Sequence, residues 1–203
     1  MYRKHLAVAA LVVAGTLTLA GCGGSDDSGS VMPGMSSSTP SSTPSSSEKM
    51  SDFNDTDVTF ATNMIPHHLQ AVEMAKLAAS RAKNPAVKDL AMQIMNAQGP
   101  EIATMSGWLS SWGKPIPTEM SSMDMSGSMP GMMSSPDMNN LMKASGMAFD
   151  QMFLTMMIKH HQGAIAMAKS EQADGMYAEA VALAKQIETS QTDEIATMRV
   201  LLG

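Results

Sequence analysis

The sequence predicts an all-α protein, a four-helix bundle built from two duplicated helical hairpins. Three observations predict it. The chain matches itself without a gap when displaced by 93 residues. Within each copy, apolar residues recur at three, four and seven positions, the spacing of one helical face. Aromatic residues are only 4% of the chain, and Ala and Met supply most of the apolar mass, which favours helix over strand.

The repeat is specific. Asp57 falls on Asp150 and Phe60 on Phe153; Met64-Ile65-x-His67-His68 falls on Met157-Ile158-x-His160-His161. Met74-Ala75-Lys76 meets Met167-Ala168-Lys169. Gln98 and Glu101-Ile102-Ala103-Thr104-Met105 meet Gln191 and Glu194-Ile195-Ala196-Thr197-Met198. From Asp57 to Met105 there are 21 identities in 49 columns, so the folded part is a duplication. It spans 52–203, with copy one at 52–112, a Met-rich linker at 113–137 and copy two at 138–203.

The first helix of copy one carries Asp57, Phe60, Ala61, Met64, His67, His68, Ala71, Met74 and Ala75 on one face. Asn84-Pro85 starts the second, with Asn as N-cap and Pro at the first position. Its inner face reads Leu90, Ile94, Ala97, Glu101, Met105 and Trp108. In copy two a helix runs from near Met138 to Gln172, breaks at Asp174-Gly175 and resumes from Tyr177 to Leu202. Pro66 and Gly99-Pro100 interrupt copy one alone, where copy two has Lys159 and Thr192-Asp193. The first hairpin is therefore expected to kink, or its first helix to begin again at Pro66. Matching apolar stripes on two hairpins are best buried as a bundle.

Residues 1–21 read as an export signal. Arg3 and Lys4 precede an apolar run of fifteen residues, Leu6 to Ala20, too short to span a bilayer comfortably. Leu19-Ala20-Gly21-Cys22 resembles the bacterial lipobox, which implies lipidation of Cys22 and anchoring to the outer face of a membrane. Residues 22–51 form a Ser/Pro/Gly tether with too little apolar surface to fold. Without the signal the chain has eleven basic and nineteen acidic residues, net −8. That charge, with no basic patch, excludes nucleic acid and suits a protein that attracts cations. Cys22 is the only cysteine, so no intrachain disulfide forms.

The only histidines of the folded part are the two pairs. Imidazole beside thioether suits a soft or borderline ion, with copper the natural candidate: Cu(I) where Met dominates, Cu(II) where His and carboxylate do. The alternative is that each pair holds one core His and one facing water. Asp57 and Asp150 project near the same line, as further ligands or supports. Glu101 and Glu194, among apolar residues, read either as ligands or hydrogen-bond acceptors for a His N–H, or as groups turned to water; Gln98 and Gln191 would orient them. The linker carries Met120, Met123, Met125, Met129, Met132 and Met133 among Ser, Gly, Pro and Asp, with no core to fill. Met-Pro-Gly-Met occurs at 32–35 and 129–132. These thioethers resemble extracytoplasmic copper motifs; the alternative is a scavenger of oxidants.

The blocks Asp-x-x-Phe-x-x-x-Met-Ile-x-His-His-x-x-Ala-x-x-Met-Ala and Gln-x-x-Glu-Ile-x-x-Met resemble a CopM-like bacterial family of domains of unknown function, over about residues 52 to 203. The resemblance implies a ferritin-like four-helix bundle, an envelope location, and copper binding linked to metal resistance. Carried over by position, it implies Met64, His67, His68, Met74, Met157, His160, His161 and Met167 as ligands. Glu-x-x-His, the di-iron signature of ferritin-like bundles, is absent, so oxidase chemistry does not follow. Nor is there a nucleophile motif, phosphate loop or cofactor fingerprint. The expected function is an extracytoplasmic copper-binding lipoprotein that buffers, sequesters or hands on copper, and not an enzyme. A metal-dependent redox enzyme and a metal-free helical interaction module are the competing readings.

Overall fold

The computed structural model describes residues 52–117 and 129–203. The signal, Cys22, the tether through residue 51, and Met120, Met123 and Met125 lie outside the described residues.

Five helices follow in order: α1 (Asp55–Arg81), α2 (Pro85–Ser111), α3 (Ser135–Lys143), α4 (Gly146–Asp174) and α5 (Ala178–Leu202). The four long ones form the expected pair of hairpins, α1 against α2 and α4 against α5, with α1 packed on α4. No described helix is long and apolar enough to cross a membrane.

Capping sets the boundaries. Asn54 and Asp57 close a capping box at the start of α1. Asn84 caps α2 with Pro85 in the first turn, as the sequence predicts. Neither interior proline ends its helix: α1 runs through Pro66 and α2 through Pro100, so α1 does not begin again at Pro66. A proline there costs about 3 kcal/mol in an isolated helix. Pro66 is buried, as are its chain neighbours Ile65 and His67.

Copy two departs from expectation at its start. No single helix runs from Met138 to Gln172. A Ser134–Asp137 capping box starts the short α3, Ala144 and Ser145 are extended, and Gly146 opens α4 at φ 63°. Met138 thus belongs to α3. The inner face of α2 is also rotated from the predicted one. Gln98 and Leu109 are buried in place of Ala97, which is exposed, and Trp108, which is half-buried.

The core falls into two apolar clusters. The first gathers Met74, Ala78, Leu90, Ile94, Phe149, Phe153, Met157 and Met198. The second gathers Phe60, Met64, Ile65, Met105, Leu109, Ala164, Ala168 and Ile187. Along each long helix the residues between the two clusters are polar: His67 and His68, Gln98, His160 and His161, Gln191 and Glu194.

The two copies hold each other reciprocally. Asp57 Oδ1 accepts from the backbone N–H groups of Met176 and Tyr177, at 3.0 and 2.9 Å, where α5 begins. Asp150 accepts from Lys83 and Asn84, at 3.0 and 2.9 Å, where α2 begins. Lys83 and Asn84 are the repeat equivalents of Met176 and Tyr177, so the contact between the copies is self-complementary, as in a twofold dimer.

Candidate metal centre

The polar layer is built from the repeat. His67 of α1 and His160 of α4, equivalent residues, stack with ring centroids 3.7 Å apart and planes tilted by 40°. His68 Nε2 lies 2.8 Å from Glu101 Oε2, and His161 Nε2 lies 2.6 Å from Glu194 Oε2. All four imidazoles are buried, which rules out the reading with one histidine of each pair in water. Glu101 and Glu194 face the histidines and accept from them; they are not turned away to solvent.

These bonds fix where the lone pairs are. A carboxylate only accepts, so His68 and His161 donate through Nε2–H. The Pro130 carbonyl likewise accepts from His67 Nε2 at 3.1 Å. In the neutral ring the other nitrogen is then a bare acceptor. Nδ1 of His67, His68 and His161 has no partner, and neither nitrogen of His160 has one. Gln98 and Gln191 add further unpartnered amide atoms to the same layer.

Electrostatics keep the central pair neutral. Burial, and then the neighbouring His68, push the pKa of His67 down to about 3. Burial, and then His67, hold His160 well below the usual imidazole value. Both rings therefore present unprotonated nitrogen at neutral pH, the form that binds metal. Among the described residues no three His, Cys, Asp or Glu side chains are grouped to hold an ion by themselves. The layer thus offers imidazole nitrogen with thioether nearby in sequence, a donor set that suits copper better than hard cations.

The methionines divide. Met64 and Met157 are fully buried one turn before the histidine pairs. Met74 lies in the first apolar cluster, and Met167 opens onto a separate pocket between α1 and α4. Asp57 and Asp150 stand ten residues before His67 and His160, roughly 15 Å along the helix. Their oxygens are committed to backbone N–H groups.

The linker end is folded against the layer, contrary to the expectation of methionines with no core to fill. Met133 joins the first apolar cluster, Met129 is buried and Met132 half-buried. Gln70 receives the N–H of Met133 at 2.7 Å and donates to its carbonyl at 2.9 Å. At the equivalent position of copy two stands Gly163, where any Cβ would overlap the Pro130 carbonyl. Gly131, at φ 83°, lies against the Lys159 and His160 carbonyls. Residues 130–133 therefore form a strap over the histidine pair. The sequence reading missed Gln70 and Gly163; their signal is a mismatch within an otherwise matching block.

A duplicated helical bundle with a buried histidine layer defines the class. The chain matches DUF305, a domain of unknown function, over residues 57–202, and belongs to that family. It is similar to the crystal structure of a DUF305 protein of Streptomyces coelicolor described as secreted, with 32% identity and a TM-score of 0.65, covering 72% of this chain and 91% of that one. A DUF305 fragment from Deinococcus radiodurans is 32% identical at a TM-score of 0.66, covering 74% and 97%. CopM in its Cu(II)-bound form is 33% identical at a TM-score of 0.64, covering 72% and 95%. CopM is also known in Cu(I)-bound and Ag-bound forms. No curated protein matches the chain.

Proposed function

We propose that this protein is an exported, lipid-anchored copper-binding protein that buffers, sequesters or hands on copper outside the cytoplasm. The observation that carries the reading is the buried layer of four imidazoles, whose Nδ1 atoms lack partners between two apolar clusters. Burying polar groups without partners costs about 1–3 kcal/mol each. A bound ion accounts for retaining them at the centre of the core. Copper-bound and silver-bound CopM, of the same architecture at 32–33% identity, supports the choice of ion. His67, His68, His160 and His161, with Met64 and Met157, are the proposed ligands. Glu101 and Glu194 orient the rings, and Met129, Met132 and Met133 are accessory thioethers. Export is supported by the N-terminal pattern ending at Cys22 and by the Streptomyces relative described as secreted.

The test is native mass spectrometry of the full chain from copper-supplemented cells, beside a His67→Ala/His160→Ala variant. The expected result is copper in the wild type and loss of one class of ion in the variant. Equal copper stoichiometry and affinity in the two proteins would defeat this reading.

A further inference from the structure

The histidine layer is closed on most sides. The two apolar clusters cover it at either end. The hairpins pack α1 against α2 and α4 against α5, and α1 lies on α4. Across the α1–α4 face runs the strap. Its Pro130 carbonyl accepts from His67 Nε2 at 3.1 Å, Gly131 lies against the Lys159 and His160 carbonyls, and Gln70 holds Met133 from both ends of its backbone. The remaining side is different. α2 and α5 approach each other far less closely than α1 and α4 do. A groove of about 630 Å³ opens between them.

That groove ends on the layer. Glu101 is the one buried residue among those lining it. Its Oε2 accepts from His68 Nε2 at 2.8 Å. His68 is itself fully buried, and its Nδ1 has no partner. A single carboxylate therefore stands between the groove and an imidazole with a free lone pair. The walls suit a cation. Asn96, Thr104, Glu179 and Gln186 line them, all exposed, and no lysine or arginine does. A cleft lined by one sign of charge raises the local concentration of the opposite ion. One water needs only about 10–15 Å³ of such space, so an ion can enter with its hydration.

We infer that copper enters and leaves the histidine layer through the α2–α5 groove, with Glu101 receiving the ion at the inner end before it passes to the imidazoles. This rests on the proposed function and adds the face of the molecule that the ion crosses. The strap is then a wall on the opposite face, and the groove is the way in.

The test is to plug the groove without touching a ligand. Ala182→Trp fills it from α5, and Thr104→Trp fills it from α2 should the first variant fold poorly. Ala103→Trp, exposed on α2 outside the groove, is the control. Stopped-flow transfer of Cu(I) from a coloured chelator to the full chain gives the rate. The phase that disappears in His67→Ala/His160→Ala belongs to the layer. Either plug is expected to slow that phase about tenfold, equivalent to about 1.4 kcal/mol of added barrier. Entry and exit slow together, so the final affinity and stoichiometry are expected to match the wild type. Ala103→Trp is expected to transfer at the wild-type rate. Wild-type rates in both plugged variants, or equal slowing by Ala103→Trp, overturn the route and leave the proposed function standing. A wild type with no such phase overturns the proposed function and the route with it.

Discussion

Asp57 and Asp150, ninety-three residues apart, each close the N-terminus of a helix belonging to the other copy. Negative charge is favourable at a helix N-terminus, and α5 has no side-chain cap of its own. Asp57→Ala and Asp150→Ala are each expected to destabilise the fold by about 1 kcal/mol or more, because partly buried N–H groups lose their acceptor. Urea denaturation measures this. A loss no greater than that of an exposed Asp→Ala substitution such as Asp89→Ala would contradict the clamp.

The carboxylates behind the rings set the tautomer of His68 and His161. Glu101→Gln and Glu194→Gln are expected to weaken Cu(I) binding by about 10–100-fold, the usual effect of losing an outer partner of a metal-binding histidine. Competition against a coloured Cu(I) chelator reads it. Unchanged affinity in both variants would remove these carboxylates from the site.

The strap depends on a missing side chain. Gly163→Ala forces the Pro130 carbonyl away and is expected to cost about 1–3 kcal/mol, the range for overpacking. Hydrogen exchange at the Met133 amide, held by Gln70, is expected to quicken in this variant and in Gln70→Ala. Unaltered exchange in both would mean that the strap is held elsewhere.

Stability of the metal-free protein is expected to fall on both sides of neutrality. His67 and His160 have folded pKa values below 6.5, so their contribution is complete above that pH. It is lost as pH falls through the folded value, which for His67 is about 3. Glu171 has the opposite sign: its pKa is raised from 4.5 to about 8, so its contribution is complete below 4.5 and lost as pH rises through 8. Thermal unfolding from pH 4 to 9 follows both limbs. Glu171→Gln is expected to flatten the alkaline limb only; an unaltered limb would place the titration in another group.

Much of the fold was legible because duplication writes every signal twice. The Asn84-Pro85 start and the paired helical stripes follow from residue type and spacing, whereas for Glu101 and Glu194 residue type leaves water or a histidine open and only the fold selects the histidine. The break before α4 was not read, because apolar residues continue through Met138, Leu141 and Met142 at helical spacing. Only the Ser134–Asp137 box and Gly146 mark it. The inner face of α2 was misjudged at Ala97 because Gln98, a polar residue, is the buried one. Asp57 and Asp150 share the helical line of the histidines, yet their partners are backbone groups of the opposite copy, which no local pattern displays. Glu171 went unnoticed for the same kind of reason: it stands out only when set against Ala78.

The stacked rings of His67 and His160 lie where the axis relating the two copies would pass. A chain of half this length, pairing with itself through the same surface, would bring its single imidazole onto that axis and assemble the layer from two subunits. Fusion of the halves then removed the obligation to change in pairs. Pro66, the Gln70–Gly163 mismatch beneath the strap and Glu171 are differences that only a fused chain can carry on one side, so the two halves of the centre are not equivalent.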